Sequence, residues 1–308
     1  MNNKSMATLV MALIPLAVGC ALPAARAEEL WDVRLPGVNE GLLAGALPPP
    51  GLYGAWDQYW ASFSTYDAKG NPTGVKMDAL IESPVILWSS GHKVLGGDFG
   101  AAMILPFDYT NLKLPQTSQI SANGHWGNFN TILEPAIISW RLSNHLFAKA
   151  GLAFSLNDAS SSPGDPPSGG GIASGNGYTS IMPIFGFSWL KDGWNLSADG
   201  QYSYNLPNHR TEYRSGPAIN IDYTLARTVG RWSFGLGGYS VNQLGPDSGA
   251  GASRCAMADA CKAESYGLGP LFSYDFDGAV IHVDYNKTIY ARNDVGGNIV
   301  NASIDFRL

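Results

Sequence analysis

The chain has 308 residues with 19 basic and 25 acidic side chains, a formal charge of −6, and 37 glycines. That negative balance argues against nucleic acid as a partner. Beyond residue 27 no run of 18 apolar residues occurs, so the chain cannot cross a bilayer as helices, and a closed barrel is the only membrane architecture left to it.

Residues 1–27 carry one positive charge near the start, Lys4, continue through an apolar stretch over 6–18 and end in Ala25-Arg26-Ala27, just ahead of Glu28 and Glu29. This is the layout of a secretory signal peptide removed before Glu28. Its removal takes Lys4 and Arg26 and no acid, which lowers the net charge to −8. Cys20, after Ala17-Val18-Gly19, also admits lipidation, but the small-x-small site at Ala25 and Ala27 is the better one. Residues 28–50 are too few for another strand pair. They are expected to fold back into a barrel as a plug or to lie beneath it in the periplasm, with Leu42, Leu43, Ala46 and Leu47 needing cover.

From residue 51 to 308 the pattern has period two, as a barrel wall requires when lipid-facing apolar side chains alternate with lumen-facing polar or small ones. The first strand is expected over 53–65. Next come Val75, Met77, Ala79 and Ile81 against Lys76, Asp78 and Glu82, then Phe99, Ala101 and Met103 against Asp98 and Gly100. Strands follow over 128–142, 146–157 and 178–190. The clearest alternation runs over 194–206, where Trp194, Leu196, Ala198, Tyr202 and Tyr204 interleave with Asn195, Ser197, Asp199, Gln201 and Ser203. Ile219, Ile221, Tyr223 and Leu225 then alternate with Asn220, Asp222 and Thr224. After a strand over 232–244, Tyr266, Leu268, Phe272 and Tyr274 alternate with Ser265, Gly267, Gly269 and Ser273, and strands over 279–291 and 298–308 complete the set. The fold class is all-β: a twelve-stranded antiparallel transmembrane barrel over 51–308 with a short plug-like segment before it.

Five short links, at 89–93, 143–145, 191–193, 228–231 and 277–278, alternate with generally longer ones. Short turns belong to the periplasmic side of such barrels, so both ends of the wall lie there. Trp88, Trp140, Trp189, Trp194, Trp232 and Tyr274 cluster beside these turns as an interfacial girdle. Strict parity would turn Trp88 and Trp140 inward, so bulges near Pro84 and Pro135 are expected to shift the register by one residue. The last strand, with Val300, Ala302, Ile304, Phe306 and Leu308 on one parity, has the form read by the barrel-assembly machinery.

Parity assigns the lumen and its solute path to Lys76, Asp78, Glu82, Asp98, Glu134, Lys149, Asp199, Asp222, His282 and Asp284. Cys255 and Cys261, flanked by small polar residues in an exported chain, are expected to form a loop disulfide, and with no histidine in that segment no metal site is expected. Nothing calls for a cofactor. Catalysis is not expected: His282 and Asp284 share a face and Ser197 or Ser203 could approach, but that face points inward, whereas a lipid substrate for a hydrolytic barrel comes from outside.

GVNEGLLAGALPPPGLY at 37–53, IESPVILWSSGHKVLGGDFGAAMILPF at 81–107, GNFNTILEPAIISW at 127–140 and YRSGPAINIDYTLAR at 213–227 together resemble the outer-membrane transporters of the meta-pathway phenol-degradation family. The resemblance implies an outer-membrane barrel associated with degradation of aromatic compounds. The functional expectation is a channel for passive uptake of small, apolar or aromatic molecules, with a structural or adhesive surface barrel as the alternative class and outer-membrane lipid as the surroundings of either.

Overall fold

The structure, a computed structural model, describes residues 27–113, 124–165, 172–256 and 261–308. The expected signal peptide and Cys20 lie outside the described residues except for Ala27, as does the centre of the glycine-rich loop. Twelve wall strands are present, two of them interrupted: β1 Gly51–Tyr66, β2 Pro72–Val94, β3 Gly97–Ile104 and Phe107–Lys113, β4 Trp126–Asn128 and Ile132–Arg141, β5 Leu146–Ser155, β6 Ser180–Lys191, β7 Trp194–Asn205, β8 Ala218–Val229, β9 Trp232–Gln243, β10 Glu264–Asp275, β11 Ala279–Arg292 and β12 Val295–Arg307. Each pairs antiparallel with its sequence neighbours. The wall closes where β1 meets β12, from Tyr53 opposite Arg307 to Thr65 opposite Val295, so no edge strand is left to face lipid unpaired.

The interruption of β3 at Leu105 and Pro106 has a local cause. Neither Pro106 nor Pro84 of β2 can donate to the ladder, so only the Leu105 N to Pro84 carbonyl bond at 3.0 Å bridges the gap, and the register of β3 on β2 is the same on both sides of it. In β4 the expected bulge is present: Glu134 and Pro135 together oppose one residue of β5, because Leu133 pairs with Phe154 and Ala136 with Leu152. Trp140 is thereby turned outward. No bulge accompanies Pro84. β2 runs in unbroken register against β1 from Lys76 to Ser89, and Trp88 faces outward, 47% exposed, because the phase of the whole strand is opposite to the expected one.

The outer face is apolar around the wall, with Leu52, Trp56, Ile86, Phe185, Phe187, Leu196, Tyr223, Leu225, Phe234, Leu236, Leu268, Phe272, Val283 and Ile304 all exposed. An apolar belt of this extent belongs in hydrocarbon. At one rim Trp232 packs on Tyr274, ring centroids 4.2 Å apart, beside Trp194 and Trp189, the girdle read from the sequence.

The links at that rim are tight, as expected, and four of the five, at 142–145, 192–193, 230–231 and 276–278, overlap the expected positions. The first reverses at Leu95 and Gly96, with Leu95 at φ 49 and Gly96 at φ 80, rather than at 89–93. At the opposite rim the links are longer, except that β1 and β2 are joined by residues 67–71 and β11 and β12 by Asn293 and Asp294 alone. By the usual orientation of such barrels the short-turn rim is periplasmic.

Residues 27–50 run among the inward-facing side chains. The Glu28 backbone N–H donates to Asp247 in the loop after β9, and the hydroxyl of Ser89, near the opposite rim, donates to the Pro48 carbonyl. The two ends of the wall lie together at the short-turn rim, whereas residue 28 lies at the far one.

Candidate functional site

The interior is where the residues of interest meet. On β7 and β8 the polar parity turns inward, and the pairing register sets Asp199 directly opposite Asp222. Two like charges in that position repel, and burial removes the water that would screen them. Arg34 resolves the conflict: its Nη1 lies 2.9 Å from Asp199 and its Nη2 2.7 Å from Asp222. Lys149 from β5 adds a second cation 2.7 Å from the other Asp199 oxygen. Glu134, in the β4 bulge, faces the same group of charges.

Below Arg34 the backbone has no regular structure, and its polar groups are satisfied by wall side chains instead of a ladder. Gly37 N donates to Asp222 at 2.8 Å, Gly41 N to Thr224 at 2.8 Å and Gly45 N to Ser188 at 2.8 Å. The Ser139 hydroxyl donates to the Gly45 carbonyl at 2.8 Å. Inward glycines make the room: a Cβ on Gly186 would come within 2.0 Å of the Ala44 carbonyl oxygen, one on Gly237 within 1.6 Å of Glu40 and one on Gly100 within 3.1 Å of Leu47. Glu40 accepts from Asn286 at 2.8 Å, and Asp284 accepts from Asn301 at 3.3 Å.

Apolar side chains fill other parts of the interior. Tyr59, Ala61 and Phe63 of β1, Met77, Ala79 and Ile81 of β2, Tyr239 and Val241 of β9 and Ile299 of β12 form one buried cluster closed by Trp31. Val33, Ile137, Ala153, Tyr178, Met182 and Ile184 form a second.

Of the ten residues assigned to the lumen, Glu134, Lys149, Asp199, Asp222, His282 and Asp284 face inward. Lys76, Asp78 and Glu82 do not: the apolar parity of β2 packs on Trp31, which turns all three outward. Asp78 pairs there with Lys113 at 2.5 Å and accepts from Ser62 at 2.8 Å. Asp98 sits at the short-turn rim, 2.9 Å from Lys93 and half-exposed. His282 does not engage Asp284. Its Nδ1 lies 2.6 Å from the Ser273 hydroxyl and its Nε2 3.2 Å from Asp305, and Gly41 covers the Ser273–His282 pair. Ser197 bonds Ser188 and Ser203 bonds the Ala218 carbonyl, both apart from this group.

The sequence reading passed over Arg34, although it is the lone basic residue in 28–50 and two acids in cross-strand register demand a cation. Glu40, Asp57 and Asp305 were also passed over. Of the apolar residues expected to need cover, Leu47 packs on the second cluster and Leu43 stays exposed. Cys261 is disulfide-bonded, and the side chain of Cys255, its expected partner, lies outside the described residues.

Residues 61–304 match the family described as "Putative MetA-pathway of phenol degradation". The chain belongs to that family. No curated protein matches it. Among solved structures, this family member resembles an outer-membrane channel from Pseudomonas putida F1 at 12% identity and a TM-score of 0.71, covering 86% of this chain and 98% of that one. The translocator domain of the autotransporter NalP from Neisseria meningitidis aligns at 10% identity and a TM-score of 0.46, over 85% and 90% of the two chains. The CymD monoaromatic hydrocarbon channel aligns at 11% identity and 0.42, over 84% and 89%. The first of these carries the fold assignment: a closed barrel of the outer-membrane type.

Proposed function

We propose that the protein is an outer-membrane channel for passive uptake of small apolar or aromatic molecules, exported by a signal peptide cleaved after Ala27 and inserted by the barrel-assembly machinery. The carrying observation is the asymmetry of the interior. β1, β2 and β12 contribute a buried apolar cluster that includes Tyr59, Phe63, Met77, Ile81 and Ile299, while β5, β7 and β8 present charges around Arg34 of residues 27–50. An apolar solute is served by such a surface because it loses no hydrogen bonds on entering, whereas a sugar or an ion does. The family's association with phenol degradation and the channel fold of the Pseudomonas putida protein agree with this reading.

Residues 27–50 act as the plug. Passage along the apolar wall requires Trp31 and Leu35 to withdraw from it, while Arg34 and the glycine-lined contacts anchor the segment to the polar wall. The reading is tested by uptake of a radiolabelled phenol, alkylbenzene and glucose into cells with an intact outer membrane, with and without the protein. Faster entry of the alkylbenzene and phenol and unchanged entry of glucose support it. Faster entry of glucose alone overturns it.

A further inference from the structure

Asp247, in the loop between β9 and β10, is buried and accepts four hydrogen bonds. Oδ1 accepts from Gly216 N at 2.7 Å and Gln243 Nε2 at 2.6 Å, and Oδ2 accepts from the Tyr213 hydroxyl and from the backbone nitrogen of Glu28 at 3.0 Å. Burial pushes the Asp247 carboxyl above its ordinary value, the hydrogen bonds from Tyr213, Gly216, Gln243 and Glu28 oppose that rise, and the four donors together fix its place. Yet no lysine, arginine or histidine among the described residues is paired with Asp247, Glu28 or Glu29. Burial pushes the Glu28 carboxyl well above its ordinary value, with Asp32 and then Asp247 and Asp294 adding to it. One buried oxygen of Glu28, Oε2, has no hydrogen-bond partner. Among the described residues, Asp247 is therefore a buried carboxylate with four hydrogen-bond donors and no cationic partner.

A cation for Asp247 is latent in the chain. Hydrolysis of the Ala27–Glu28 peptide bond adds one water: Ala27 leaves with the leader as a carboxylate, and the Glu28 amide nitrogen becomes an amine, protonated at neutral pH. That nitrogen already lies 3.0 Å from Asp247. Glu28 also has φ 68, a conformation that is unfavourable for an internal glutamate. At a chain start no preceding carbonyl exists to clash, and the penalty disappears. Ala27, packed on Cys261 and Ala263, departs and makes room around the new terminus.

We propose that the α-ammonium of mature Glu28 forms a buried ion pair with Asp247, so that removal of the leader fastens residues 28–50 across the barrel. The inference rests on the cleavage expected at Ala27. It makes processing a structural step: the unprocessed chain has an amide beside Asp247 where the mature one has a charge.

The test uses mature protein purified from outer membranes, with its N-terminus determined by mass spectrometry and its folding verified by heat-modifiable migration. Sulfo-NHS-acetate is applied to the folded wild type, to Asp247→Asn and to a variant with glycine inserted before Glu28, and acetylation of the N-terminal peptide is quantified. Pairing with a buried carboxylate depletes the reactive neutral amine, so the wild-type α-amine is acetylated about tenfold more slowly than in either variant. The insertion variant leaves Asp247 intact and moves only the charge, which covers a failure of Asp247→Asn to fold. Equal acetylation in wild type and a folded variant overturns the ion pair. An N-terminus other than Glu28 overturns the cleavage on which it rests.

Discussion

β7 and the first half of β2 both alternate and face opposite ways. On β7 the polar parity Asn195, Ser197, Asp199, Gln201 and Ser203 is buried and Trp194, Leu196 and Tyr204 meet lipid. On β2 Val75, Met77, Ala79 and Ile81 are buried while Lys76, Asp78 and Glu82 face out. Alternation defines two faces, and the contents of the barrel decide which is inner. Beside β7 lies Arg34 with a run of backbone amides, which need acceptors; beside β2 lies Trp31, which needs apolar cover. Lipid permits the reversal on β2 because that strand has 23 residues, where a barrel strand needs about 9–11 to cross the hydrocarbon. Its first residues, with Lys76 and Asp78, are on the long-loop side, where outward charges meet Lys113 and water.

This division can be broken most severely at Arg34. Arg34→Ala leaves Asp199 and Asp222 buried with only Lys149 to compensate, at a cost of about 3–5 kcal/mol. The midpoint of heat-modifiable migration should fall and planar-bilayer conductance should rise as the segment leaves the polar wall; an unchanged midpoint and conductance would show that the segment is held elsewhere. Gly186→Val places methyl groups where the Ala44 carbonyl lies and should cost about 1–3 kcal/mol, with a smaller rise in conductance.

Much of the wall was legible in the sequence. All twelve strands were, with the five short turns placed to within a few residues and the bulge at Glu134 and Pro135, because hydrogen-bond geometry and the pleat act locally. The phase of β2 was not, since it depends on Trp31, distant in sequence. Nor was the two-residue link at Asn293 and Asp294, because a long loop is a habit of one rim and not a stereochemical requirement. In the interior, Asp199 and Asp222 could be read from parity, but their shared partner could not be read without the register that sets them side by side.

A weaker test lies at the mouth. The Glu28 and Glu29 carboxyls are both pushed up by burial. Their protonated forms favour the folded mouth, so that contribution is full below the ordinary carboxylate pKa and is lost as pH rises through the raised one. Thermal midpoints should be higher at about pH 5 than at about pH 7.5, and Glu28→Gln should flatten the difference. The smallest effect is expected at Lys76: Lys76→Ala on the outer face should change stability by no more than about 0.5 kcal/mol and leave conductance unchanged. A large change in conductance would return Lys76 to the lumen and undo the contrast between the strands.

The central claim is that the apolar inner wall carries the solute. It is tested most directly by uptake of a radiolabelled alkylbenzene into cells with intact outer membranes, comparing wild type with Met77→Asp on the apolar wall and Gln201→Ala on the polar one, at matched levels of folded barrel. A partition penalty of about 1.4 kcal/mol at Met77 should lower uptake about tenfold while Gln201→Ala leaves it near the wild-type rate. Uptake that is untouched by Met77→Asp, or lowered equally by both substitutions, would contradict it.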